Sequence, residues 1–281
     1  MKQGQPSSSP DSARPADESG KPAIAGGTPA KSTPFTREKR YGPDELRELA
    51  EALDQGSLFF IHGQKVRSLE TEYAAVCNAK HGIATSSGTA SVHAALMAVG
   101  VSPGDEVIVP PITDMGSIAP ILWQGAIPVF ADLDPHTYNL DPTSIAKNLS
   151  SKTRAVLLVH LAGNACDMHA IADVLKGRDV ALIEDCAQAH GTRYDDKPVG
   201  TFGVAGCFSF NEFKHLSCGD GGVVVTNDDA MAARLRLAVD KCYNRDAKAL
   251  VRSPTFLGNN YRMTELQGAV ARRNCASSTA S

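Results

Sequence analysis

From residue 83 onward, short runs of β-branched and aliphatic residues alternate with stretches of helical periodicity, and this alternation constrains the fold more than any other feature of the chain. IATSS ends a strand, and Val92, Ala95, Leu96 and Val99 follow at the i, i+3, i+4, i+7 spacing of a buried helix face. DEVIVP, IPVFAD, AVLLVH and VALIED read as further strands, separated by helical patterns over 117–123, 142–149 and 168–175. Strands that are apolar on both faces and joined by helices form parallel βαβ units, because only a sheet covered on both sides buries such runs. CFSFN and GGVVVTN add two strands, and 228–239 a helix. Upstream, Pro43 opens a helix carrying Leu46, Leu49 and Leu53, and a second helix runs from about Val66 to Cys77.

The ends differ from this core. Residues 1–34 are rich in Ser, Pro, Gly, Ala and Lys, lack periodicity and read as a disordered arm. Residues 35–272 form the expected α/β domain with its N-terminal helices, and RNCASSTAS, 273–281, breaks the helical pattern of TELQGAVAR and reads as an irregular tail. No stretch of 18 apolar residues appears, and the first 20 residues lack an apolar signal core, which points to the cytoplasm. A net charge of −3 with scattered basic residues argues against nucleic acid or an acidic membrane as partner. The seven cysteines form no CxxC pair, which favours reduced thiols over a disulfide framework or a zinc site.

Three segments carry candidate chemistry. In TSSGTASVHAAL, small polar residues and a glycine join a strand end to a helix start, gathering free N–H groups and a positive dipole end. Such a turn binds phosphate through Ser87, Gly88 and Thr89, or is a plain Ser/Thr N-cap. In VALIEDCAQAHG, Asp185 closes an apolar strand where open α/β sheets place ligand groups. A carboxylate buried there needs a partner, such as a protonated pyridine nitrogen, a salt-bridging cation or a helix start. Glu184 is adjacent and points to the opposite face, so the two do not act as an acid/base pair. His160 and His190 are candidate acid/base groups, although lone histidines near strand ends are more often hydrogen-bonded core residues. In SFNEFKHLSCGDGG, Lys214 lies between a strand end and a glycine-rich turn. A desolvated lysine condenses with an aldehyde, whereas an isolated loop lysine is more commonly solvated.

Taken in order, SSGTASVHAAL, GDEVIVPPIT, GAIPVFADLDPHTYNLDP, DMHAI, IEDCAQAHG, GTFGVAGCFSFNEFKHLSCGDGGVVVTND and GNNYRMTELQGAV resemble the DegT/DnrJ/EryC1/StrS family of sugar aminotransferases. IAGGTPAKSTPF, 24–35, also resembles the lead-in of some members. The resemblance implies the aspartate-aminotransferase-like fold type I, with a mostly parallel central sheet and pyridoxal 5′-phosphate as cofactor. By this resemblance Lys214 is the cofactor's attachment point and the catalytic base and acid. Asp185 pairs with the pyridine nitrogen and Gln188 contacts the 3-hydroxyl. Gly88, Thr89 and Ser209 hold the phosphate, and Asn260 reaches the partner subunit's cofactor phosphate in a homodimer with shared active sites. The implied reaction moves an amino group from glutamate or glutamine to a keto sugar nucleotide or keto cyclitol, in amino-sugar, cell-surface polysaccharide or secondary-metabolite biosynthesis. Lysine rather than histidine at 214 argues against the family's dehydratase branch.

Two departures qualify this. Asp114, in PPITDM, stands where the family usually carries a ring-stacking aromatic, leaving Met115 or another residue to cover the cofactor. RNCASSTAS does not resemble the family's continuation into a small C-terminal domain, so that domain is expected to be largely missing and turnover weak. The alternative is therefore an inactive or weakly active member with a regulatory or binding role. A Rossmann-type nucleotide binder is disfavoured, since no GxGxxG follows the first strand.

Overall fold

The computed structural model describes residues 21–34, 39–245 and 256–278. Residues 1–40 and 41–281 are separate compact units. Of the expected arm, 1–20 lie outside the described residues. Residues 21–34 contain one 3₁₀ turn, Ala23–Ala25, closed by Gly26 at φ 93°.

The second unit is built around a seven-stranded sheet. In chain order it comprises α1 (Pro43–Asp54), α2 (Lys65–Val76), β1 (His81–Thr85), α3 (Gly88–Val99), β2 (Glu106–Val109), α4 (Met115–Trp123), β3 (Ile127–Phe130) and α5 (Pro142–Asn148). There follow β4 (Thr153–Val159), α6 (Met168–Leu175), β5 (Ala181–Asp185), β6 (Arg193–Tyr194), β7 (Lys197–Pro198), β8 (Ala205–Ser209), β9 (Gly222–Thr226), α7 (Asp229–Val239) and α8 (Glu265–Ser278). The strand order is β1-β9-β8-β5-β4-β2-β3, with β6 and β7 forming a separate ribbon. Within the seven-stranded sheet β9 is antiparallel to both neighbours and the remaining pairings are parallel; the β6–β7 ribbon is antiparallel. The mostly parallel α/β architecture is thus the expected one.

Strand residues alternate between two layers, as a pleat of period two requires. Val107, Val109, Leu157 and Ile183 pack with α3 and α7 residues such as Leu96 and Leu235. Their neighbours Ile108, Val156 and Leu158 face the other way, onto Ile145 of α5 and Ile171 of α6. Toward the β1 side, Phe208, Val223 and Val225 pack with Leu69 and Tyr73 of α2 and Ala271 of α8. Both faces of the central strands are therefore dry, which explains why their sequences read as unbroken apolar runs.

α8 corrects the expected tail: the helix runs through 273 to Ser278, and only 279–281 lie outside the described residues. The polar residues that break the local pattern have distant partners. Arg272 pairs with Glu72 and Glu48, Arg273 with Asp44, and Asn274 donates to the Ser217 carbonyl. Cys275 is buried in the α2–α8 cluster. Tertiary contacts thus override a weak local helical pattern. Among the described residues, no helix is long and apolar enough to cross a membrane.

Candidate active site

The carboxyl ends of β1, β4, β5 and β8 share one edge of the sheet, and the helices α3 and α4 begin there. A cavity of about 290 Å³ opens at this edge, lined by Gly88, Thr89, Asp185, Gln188, Ser209 and Lys214 among others. Every candidate cofactor residue except Asn260 is brought together here. Asn260 is exposed and bridges to Asp240, away from the cavity.

α3 reaches the cavity with its first turn. The Ser87 hydroxyl caps it by accepting from Ala90 N at 3.1 Å, while the first-turn N–H groups of Gly88 and Thr89 have no intrahelical acceptor. Ser87 is thus an N-cap, and backbone donors remain free of it beside the cavity. Gly88 is required by proximity, since a Cβ on it would lie 2.5 Å from the Ser209 Cβ. Gly222 permits a similar approach, because a Cβ there would meet the Ser87 carbonyl oxygen at 2.6 Å.

Asp185 closes β5 and is 6% exposed. One carboxylate oxygen accepts from Ala187 N at 3.0 Å and the other from the Ser117 hydroxyl at 2.7 Å. Burial pushes its pKa up; the Ser117 and Ala187 hydrogen bonds, then the charges of Lys214 and His160, oppose that shift. The Gln188 carbonyl oxygen accepts from Ala162 N at 2.7 Å, which leaves the NH₂ end as the amide's donor.

Lys214 lies on the loop after β8, where its N–H bonds to the Asn211 carbonyl at 2.9 Å. Asn211 organises this loop. Its side-chain oxygen accepts from Phe213 N, and its NH₂ reaches across to Asp220 at 3.0 Å. Gly219, at φ 87°, makes the return turn, a conformation that costs a Cβ-bearing residue energy.

Asp114, the expected stacking position, instead caps α4: its carboxylate accepts from Gly116 N at 2.7 Å. Met115 is 60% exposed and absent from the cavity wall, whereas Phe213, 83% exposed, is the aromatic residue that lines it. Thr113 and Ser117, not singled out from sequence, also line it, with their hydroxyls 2.8 Å apart. Their i, i+4 spacing across the start of α4 was the one available signal.

The remaining candidates are structural. His190 accepts from the Tyr73 hydroxyl at Nδ1 and donates from Nε2 to the Ser209 carbonyl, and burial lowers its pKa to about 4. His160 is fully buried; its Nδ1 accepts from Cys166 N, so Nε2–H faces Glu184 at 3.2 Å. His160, Glu184 and Cys186 hold potential metal-binding atoms within 4.8 Å of one another. The Glu184 oxygens, however, are engaged by the N–H groups of Gly200, Phe202 and Gly203.

The profile of the DegT/DnrJ/EryC1/StrS aminotransferase family matches residues 39–277. The chain belongs to this family. It is 41% identical over 234 residues to a pleiotropic regulatory protein of Geobacillus stearothermophilus, covering 81% of this chain and 60% of that one. It is 36% identical over 249 residues to a putative L-glutamine:3-amino-2,3-dideoxy-scyllo-inosose aminotransferase of Streptoalloteichus tenebrarius, covering 88% and 60%. The crystal structure of an aminotransferase from Psychrobacter cryohalolentis superposes with a TM-score of 0.81 at 34% identity, covering 88% of this chain and 65% of that one. Other similar solved structures hold pyridoxal phosphate or its amine form. The chain spans about 60% of the length of the curated relatives it matches.

Proposed function

We propose that the chain carries the cofactor-binding half of a pyridoxal-phosphate aminotransferase that transfers an amino group from glutamate or glutamine to a keto sugar nucleotide or keto cyclitol. The observation that carries this reading is the single cavity that combines a buried carboxylate, a lysine and a helix N-terminus. The residues suit the cofactor: the donors of Gly88 and Thr89, with the Ser209 hydroxyl, match a phosphate dianion. The Asp185 carboxylate matches a protonated ring nitrogen, which would balance the charge that burial penalises. The Gln188 NH₂ suits the 3-hydroxyl.

When bound, pyridoxal phosphate supplies an aldehyde for the amino group and an electron-withdrawing ring. The protein's part is positional and protonic. Asp185, held in line by Ser117 and Ala187, would keep a proton on the ring nitrogen. Lys214 Nζ would hold the aldehyde group in place. The same amine, when free, would take a proton from and return it to the substrate carbon. Asn260, exposed and outside its own chain's cavity, is read as reaching a second copy's phosphate in a cytoplasmic homodimer.

Titration of the purified chain with pyridoxal phosphate tests the reading. A near-visible band is expected, and Lys214→Ala should abolish it; an unchanged band in that variant would refute the assignment. A second reading, a family member with a regulatory role and little turnover, is favoured by the Asp114 carboxylate in the place of a stacking ring. It predicts normal cofactor binding with no amino transfer from glutamate or glutamine.

A further inference from the structure

α4 begins against the carboxyl end of β5; its first turn aims the Ser117 hydroxyl at Asp185, and Thr113, just ahead of the helix, backs that hydroxyl. Ser117 is 1% exposed, and its Oγ lies 2.7 Å from Asp185 Oδ2 and 2.8 Å from Thr113 Oγ1. A carboxylate only accepts, so Ser117 spends its one proton on Asp185, and Thr113 must donate to Ser117. Gly116 lets this turn approach α3, since a Cβ there would meet Thr89 Oγ1 at 2.8 Å. Asp114 fixes the start of the helix by capping it.

We infer that Ser117, oriented by Thr113, is a positioning residue that holds Asp185 ionised and aimed at the cofactor's ring nitrogen. The inference rests on the cofactor reading above. Asp185 sits in a crowded electrostatic setting. Lys214 on the β8–β9 loop and His160 at the end of β4 favour its charged form. Cys186 and Cys207 pack beside it, and Asp114 and Asp220 line the same cavity. Burial works against the charged form, and the Ser117 hydrogen bond is the foremost influence that works for it. Without that hydroxyl the carboxylate takes up a proton at higher pH and can no longer retain the proton on the ring nitrogen.

The test is the pH dependence of pyridoxal phosphate affinity, read from the Lys214-dependent near-visible band of the full chain. Native protein is compared with Ser117→Ala, Ser117→Thr and Thr113→Val. Affinity should fall on the acid side in all four. The midpoint should move up by about one pH unit in Ser117→Ala, the size expected for losing a hydrogen bond to a charged group. Thr113→Val should shift it in the same direction by less, and Ser117→Thr should superimpose on the native curve. A midpoint unmoved in Ser117→Ala overturns the inference even if affinity drops uniformly, since uniform loss is what a merely structural role produces. A Ser117→Thr midpoint that moves as far as that of Ser117→Ala overturns it too. If Ser117→Ala does not fold, Thr113→Val decides, and an unshifted midpoint there overturns the inference. Absence of any Lys214-dependent band in native protein removes the cofactor reading and this inference together. A band with unmoved midpoints removes this inference alone.

Discussion

Glu184 and Asp185 are neighbours on β5, yet their carboxylates serve opposite faces of the sheet. Glu184, fully buried, accepts from the N–H groups of Gly200, Phe202 and Gly203 and pins the 200–203 turn. Asp185, also buried, accepts one N–H and one hydroxyl and opens into the cavity, with burial holding its pKa up. One carboxylate is saturated and supports the fold; the other is left costly and available.

Substitutions at the two positions should therefore move stability in opposite directions. A folded-state pKa raised above the unfolded value makes the ionised group a penalty at neutral pH. That penalty fades as pH falls through the folded pKa toward the ordinary carboxylate range. Asp185→Asn keeps both hydrogen bonds, the amide oxygen accepting from Ala187 and the NH₂ donating to Ser117. It should raise the melting temperature of cofactor-free protein at pH 7, with the gain shrinking on acidification. Glu184→Gln turns an NH₂ toward a backbone N–H and should cost about 3 kcal/mol or more, two to three lost or unsatisfied charged hydrogen bonds. Thermal melts across pH check both, and a destabilised Asp185→Asn would contradict the assignment of Asp185 as a stability cost.

Asp185→Asn should also separate attachment from chemistry. On the proposed assignment Lys214 would still reach the aldehyde, so the near-visible band should persist. Conversion of that band by glutamate should slow by roughly 100-fold, the order expected when a charge-assisted hydrogen bond is lost from the reacting state. Stopped-flow absorbance with saturating glutamate measures this directly; an unchanged rate would remove Asp185 from the mechanism.

His190 makes a separate acid-side prediction. Half-buried between Tyr73 and the Ser209 carbonyl, it is held neutral with a pKa lowered from 6.5 to about 4. The unfolded chain takes up this proton first as pH drops. Stability should thus be intact above pH 6.5 and decline toward pH 4, by up to roughly 3 kcal/mol. His190→Gln, which can accept from Tyr73 and donate to Ser209, should flatten that decline. Denaturant midpoints measured between pH 4 and 7 give the comparison.

The fold was legible because its strands are buried on both faces: AVLLVH and VALIED could not be anything but central strands once helical patterns flanked them. Asp185 and Lys214 were legible as positions but not as a pair. The 210–221 loop that carries Lys214 is ordered by Asn211 clasping Asp220, a contact no local pattern announces. Ser117 was invisible for a similar reason. It sits 68 residues before the carboxylate it serves, and hydroxyls on a short helix look the same whether they face solvent or a buried acid. Asp114 appeared only as a missing aromatic ring, although an Asp immediately before a helix start is also a good N-cap. The tail was misjudged because Arg273 and Cys275 are stabilised by α1 and α2, more than 190 residues upstream.

The contact between Gly88 and Ser209 gives the sharpest steric test of the proposed phosphate-binding turn. The start of α3 rests so closely on the end of β8 that a Cβ on Gly88 would sit 2.5 Å from the Ser209 Cβ and 3.2 Å from its Cα. Neither element can yield cheaply: Ser209 is buried and its strand is paired on both sides, with β5 and β9. Gly88→Ala should push the first turn of α3 away from the cavity and misdirect the N–H groups of Gly88 and Thr89. Pyridoxal phosphate affinity should fall by about tenfold or more, against the small stability gain that alanine brings to an unobstructed helix position. Adding Ser209→Gly removes the opposing Cβ and should restore part of the lost affinity, although the Ser209 hydroxyl is lost with it. Ser209→Gly alone should weaken binding. A double-mutant cycle of near-visible titrations therefore predicts a favourable coupling between the two changes. Additive losses would mean that the two residues do not share the phosphate turn.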